Sequence, residues 1–162
     1  MDRVVADYFA AERAESVLFI VVGALALGAA LYLVIRRRRP FGIGLAWPLV
    51  AIGLIQLVVG ITVFMRSPGD TVRVQHALQA DRGLIVTEEV PRMITVVNNF
   101  VLYRWVELAL LGLGGVLLLA AKRRSGARGA GLGLALQAAF MLVLDALAEQ
   151  RALQYLAWLK GL

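Results

Sequence analysis

The chain has 162 residues, a hydrophobic fraction of 60%, no cysteine and a formal net charge of +6, with a mean hydropathy of +0.78. An apolar share so far above the roughly 45–50% of soluble domains points to an integral membrane protein, and the lack of cysteine excludes disulfides, thiolate metal sites and a cysteine nucleophile. The basic surplus does not indicate nucleic acid, because eight of the seventeen basic residues sit in two short runs free of acids, as membrane-segment flanks do.

The N-terminal stretch MDRVVADYFAAERAES is mixed in charge and lacks the basic region and cleavage site of a signal peptide, so we expect it to be retained. Val4, Val5, Tyr8, Phe9 and Glu12 recur at helical spacing, which predicts a first helix over about residues 4–35 that begins outside the bilayer. Arg36, Arg37, Arg38 and Arg39 separate it from a second helix over 44–65. A polar connection follows over 66–87, in which DTVRVQHALQADRG is an amphipathic helix candidate that Gly83 can end. The third helix is expected over 88–121, with Pro91 tolerated in its first turn. Lys122, Arg123, Arg124 and Arg128 form the second basic run, and the fourth helix spans 130–160, its last part EQRALQYLAWLKGL turning amphipathic.

Each apolar segment is close to the ~20 residues that cross ~30 Å of hydrocarbon, and only helices satisfy their backbone there. The expected fold is therefore an all-α integral membrane protein, a single domain over 1–162. It is a four-transmembrane-helix bundle whose helices one, three and four extend into an extracytoplasmic helical cap. Both short basic hairpins must share one side. Their density favours the cytoplasm, whereas Arg66, Arg73, Arg82 and Arg92 are diluted among Asp70, Asp81, Glu88 and Glu89. Both termini and the 66–98 segment are then extracytoplasmic, and the compartment expected is a bacterial inner membrane. Arg36, Arg37, Arg38, Arg39, Lys122, Arg123 and Arg124 can also meet anionic lipid headgroups. Trp105 and Trp158 near the outer boundary, and Trp47 near the inner one, have the placement of interfacial belts.

The informative residues are charges inside apolar segments. Counted from Ala121, Glu107 lies about 21 Å deep, and counted from Ala130, Asp145 lies about 22 Å deep. Gln56 comes to about 18 Å counted from Gly44, which assigns it to the same layer. One turn outward are Arg104 and Glu149, each on the same helix face as its neighbour, while helix one brings Glu15. Gln137, Met141, Asp145 and Glu149 form one stripe at a spacing of four. The expected site is thus Glu15, Gln56, Arg104, Glu107, Asp145 and Glu149, supported by Glu12, Arg13, Asn99, Tyr103, Gln137 and Arg151.

A charge at this depth has to be paired, protonated or wet. One reading is a membrane binding or transport protein taking a cationic or polar-headed small molecule or lipid. A second is a non-catalytic partner or assembly subunit, in which the layer is structural and the chain meets another membrane protein or its own copy. A third, weaker, is an enzyme acting on a lipid-like substrate, since no nucleophile-and-base motif accompanies the acids. No cofactor or metal is expected: arginines compete for the carboxylates, and the single histidine, His76, lies in the polar connection. The glycines read as helix-packing contacts.

Overall fold

The computed structural model describes residues 2–37, 39–80 and 82–162, and the side chains of all of these except 2, 37 and 82. Arg38 and Asp81, and the Arg37 and Arg82 side chains, all named above, lie outside the described residues. Helix α1 runs over Asp2–Tyr32 and closes in a π-helical turn, Leu33–Arg37. Helix α2 covers Pro40–Ala80. A turn at Arg82–Leu84 and a π-helical stretch, Ile85–Glu89, lead into α3, Val90–Ala120, and α4 spans Gly126–Lys160. Length and apolarity make each of the four a candidate membrane span.

The hairpin turns begin each returning helix earlier than the sequence expectation. Pro40 opens α2, where its fixed φ and missing N–H carry no penalty. Ser125 caps α4, its Oγ accepting from the Arg128 N–H at 3.3 Å. The two turns sit together, since a Cβ on Gly126 would lie 3.2 Å from the Pro40 carbonyl.

The expected connection over 66–87 is largely helix. Pro68 removes one backbone donor, yet α2 runs through it to Ala80. Ties to neighbouring residues outweigh that cost. Arg66 meets Glu12 of α1 at 3.1 Å, and Ser67 donates to the same carboxylate at 2.9 Å. Asp70 pairs with Arg66 at 3.1 Å and with Arg73 at 3.3 Å. Helix two therefore extends beyond its apolar segment as the other three do.

α1 packs along α2, α2 against α4, and α4 against α3, while the backbones of α1 and α3 do not come together among the described residues. Two kinds of packing share this frame. Toward the termini, Val5, Phe9, Val74, Ile85, Met93, Ala152, Tyr155, Leu156 and Leu159 form a buried apolar core. Tyr8 stacks on Tyr155 with centroids 4.2 Å apart, and Tyr155 on Trp158 at 5.9 Å, so Trp158 belongs to this core rather than to an exposed belt. Trp47 and Trp105, by contrast, are exposed.

Toward the hairpins the helices meet through glycine. A Cβ on Gly44 would run into the Gly126 carbonyl, and one on Gly129 into that of Phe41. On the other side of α4, a Cβ on Gly114 would lie 2.8 Å from the Gly131 carbonyl and 2.8 Å from the Ala135 nitrogen. Close backbone approach of this kind is the packing expected of membrane spans, whose apolar side chains gain little by leaving lipid for one another. Leu25, Leu31, Ile55, Val58, Leu113, Val116 and Leu119 accordingly remain outward and exposed.

Gly44→Leu and Gly129→Leu should each destabilise the protein in detergent by about 1–3 kcal/mol or more, since the obstacle is backbone. Gly112→Ala and Gly115→Ala, where an added Cβ meets nothing within 4 Å, should be neutral or stabilising by up to about 1 kcal/mol. Thermal melting of the four variants checks this; equal losses at all four positions would contradict the packing described.

Candidate binding site between the third and fourth helices

The Gly114 contact with Gly131 and Ala135 sets the register in which α3 and α4 face each other. Stepping outward from it by alternating threes and fours, α3 presents Leu111, Glu107, Arg104 and Phe100, and α4 presents Ala138, Leu142, Asp145 and Glu149. That is the heptad spacing of a helix seam, with charges at its apolar positions. The small residues bring the two backbones close; beyond them the larger side chains hold a cavity of about 110 Å3. It is lined by Phe100, Arg104, Glu107, Leu142, Asp145, Ala146 and Glu149.

Arg104 forms an ion pair with Glu149 at the mouth of this cavity. Glu107 is 4% exposed, and its carboxylate oxygens receive no N–H or hydroxyl donor among the described residues; only the Asp145 carboxyl stands within hydrogen-bonding reach. Its carboxyl faces that of Asp145. No ion pair reaches either acid among the described residues, although Arg104 is only one turn away. A floor of two carboxyl groups under a mixed-charge rim can hold a cation or donors supplied from outside; its lining residues form no nucleophile-and-base pair.

Four of the six expected site residues, Arg104, Glu107, Asp145 and Glu149, therefore share one cavity. Glu15 does not line it and pairs instead with Arg151 of α4. Gln56 is fully buried, and its amide nitrogen donates to Gln137 at 3.1 Å, eight residues nearer the hairpin than Asp145. Eight residues are about 12 Å along α4, so Gln56 does not share the carboxylate level. Its expected depth was counted from Gly44 and that of Asp145 from Ala130, whereas Gly44 packs on Gly126, one turn earlier. Among the supporting residues, Glu12 joins Arg66 and Ser67, and the Arg13 guanidinium lies 4.3 Å from the Phe64 ring centroid. Tyr103 is exposed and edge-on to Phe100, and Asn99 is exposed on α3.

A second charged cluster, absent from the sequence reading as a unit, closes the end that holds the termini. Glu89 is 1% exposed and receives Arg92 at 2.6 Å, Arg73 at 3.1 Å and the Tyr155 hydroxyl at 3.5 Å. Through Arg73, Asp70, Arg66 and Glu12 the chain of ion pairs continues from α3 to α2 and α1. The signal available in the sequence is an acid two residues before Pro91 and three residues from Arg92, a helix-start pattern with a partner on the same face.

The chain matches no protein-family model, and no curated protein or solved structure matches it at a significant level.

Removing one partner of a buried ion pair costs about 3–5 kcal/mol. Glu89→Gln should approach the lower end of that range, because Arg73 and Arg92 keep some access to water. Glu88→Gln, on the exposed neighbouring residue, should change stability by less than about 0.5 kcal/mol. Denaturation of both variants decides it, and equal effects would remove Glu89 from its central position. A double-mutant cycle between Arg104→Ala and Glu149→Gln should likewise show coupling of about 1 kcal/mol, with strict additivity as the contrary result.

Proposed function

We propose that the chain is a membrane binding or transport protein whose site is the α3–α4 cavity. The ligand is a small molecule or lipid with a cationic or polar head. One observation carries this reading: among the described residues Glu107 is buried with no cation and no N–H or hydroxyl donor on either oxygen, beside only the Asp145 carboxyl, in a cavity large enough for a small polar group. A charged side chain at membrane depth costs at least ~2.5 kcal/mol on the most lenient scale. The neighbouring arginines are engaged with Glu149 and Glu15. Two facing carboxyls with no arginine between them leave room for a positive or hydrogen-donating group from a ligand.

In this reading the hairpins face the cytoplasm of a bacterial inner membrane, and the termini with the Glu89 cluster form a helical cap outside. The density of Arg36, Arg39, Lys122, Arg123 and Arg124 around the two turns supports that orientation, and the same residues can hold anionic headgroups. A second reading, a non-catalytic assembly subunit, draws on the separation of the α1 and α3 backbones beyond the terminal core, which leaves flanks for a membrane partner or a second copy.

Orientation is tested with single cysteines placed at two exposed positions, Gln79→Cys and Arg124→Cys. An impermeant thiol reagent applied to intact cells should modify only the first, and modification of the second alone would invert the topology.

For the site, Glu107→Gln and Asp145→Asn should leave folding largely intact while abolishing the melting shift produced by small ammonium ligands. A ligand at about 100 times its Kd stabilises the folded state by about 2.7 kcal/mol. Unfolding of both variants together with no ammonium response in the wild type would leave the assembly-subunit reading in its place.

A further inference from the structure

The charges of the cavity are ordered by depth. Glu107 and Asp145 lie at its floor, and Arg104, 46% exposed, stands at its mouth. The Arg104 guanidinium has five N–H donors, and its pairing with Glu149 runs through one terminal nitrogen. Donors remain for a second anion, and the planar fork suits a phosphate. The site thus asks for a positive group inside and an anionic group at the rim. From Glu107 to Arg104 is three residues, about 4.5 Å along the helix axis. Groups one helical turn apart on one face call for a short link between the ligand's charges.

The kind of cation follows from hydrogen bonding. Apart from the facing Asp145 carboxyl, the two buried oxygens of Glu107 have no donor among the described residues, and leaving buried acceptors unsatisfied is costly. A primary ammonium brings three N–H donors, whereas a trimethylammonium brings none and is recognised by cages of aromatic rings. Phe100 is the one aromatic side chain lining the cavity. A volume near 110 Å3 is a few times the ~30 Å3 that a water occupies, enough for an ammonium and its short stem.

The surroundings select a lipid. Trp105, next to Arg104, is 68% exposed, as aromatic residues at the headgroup level of a bilayer are. Val101 and Leu108 on α3 are exposed apolar side chains beside the seam, against which acyl chains can lie.

We propose that the cavity binds the headgroup of an aminoethyl phospholipid, its ammonium on Glu107 and Asp145 and its phosphodiester on Arg104. This rests on the binding reading above and narrows it to one ligand class.

The test uses the full chain in mild detergent with phospholipids of identical acyl chains and aminoethyl, choline or glycerol headgroups, alongside soluble ethylammonium and phosphoethanolamine. Retained lipid is counted by native mass spectrometry, and stabilisation is read from melting curves. The aminoethyl lipid should act at concentrations about tenfold lower than the choline lipid. Glu107→Gln should erase that discrimination, and Arg104→Gln should weaken both phospholipids while leaving ethylammonium binding in place. Equal action of aminoethyl and choline lipids in the wild type would overturn the headgroup assignment and spare the cation pocket. Binding of ethylammonium or phosphoethanolamine without preference for the lipid would overturn the lipid assignment alone. No response to any amine would overturn this inference and the binding reading together. The wild-type comparison of headgroups decides the outcome even where a variant fails to fold.

Discussion

Helices surrounded by hydrocarbon gain little by burying leucine against leucine, so their association depends on how closely their backbones can approach. In this chain α4 meets that constraint on two sides. Gly129 and Gly133 admit α2, and Gly131 with Ala135 admits α3 through Gly114. A single residue of slippage at the Gly114 contact would rotate Glu107 by about 100° away from α4. The close approach therefore does more than hold the bundle: it fixes which polar side chains meet further along the seam. Since Gly114, Glu107 and Phe100 repeat every seven residues, they keep one face of α3 on α4.

The end of the molecule carrying the termini obeys a different rule. Its core of Phe9, Val74, Met93, Tyr155 and Leu159 is built from large apolar side chains, as in a water-soluble protein, and its ion pairs link three helices around Glu89. Arginines and acids are matched there in a continuous chain. Between this end and the glycine contacts lie Glu107 and Asp145, which that matching does not reach. Two packing regimes thus meet at the level of the cavity, where side chains too large for glycine packing and too few for a full core leave space.

Hydropathy and the basic runs made four long helices and the pairing of both hairpins at one end legible, because those features depend on local composition. The spacing of Arg104 from Glu107 and of Asp145 from Glu149 placed each pair on one face, and the structure brings all four to one cavity. Depth across helices was less legible. Gln56 was assigned to the carboxylate layer from an assumed start at Gly44, but register is set by where two glycines touch, which no single helix encodes. The continuation of α2 through Pro68 was hidden for a related reason, since a local breaker is outweighed by Glu12, which is distant in sequence. Glu89 looked like a diluted surface acid because its three partners come from α2, α3 and α4.

The absence of native cysteine allows a direct measurement of whether polar molecules enter the space that the acid pair faces. In Glu107→Cys protein, reconstituted in vesicles, the modification rates of position 107 by a cationic and by an anionic methanethiosulfonate can be compared, with Gln137→Cys as the closed reference. An accessible cavity that retains Asp145 predicts rapid modification at 107, about tenfold or more in favour of the cationic reagent, and none at 137 on the same timescale. Position 107 reacting as slowly as 137, or without preference for charge, would show the acid pair to be closed to polar molecules.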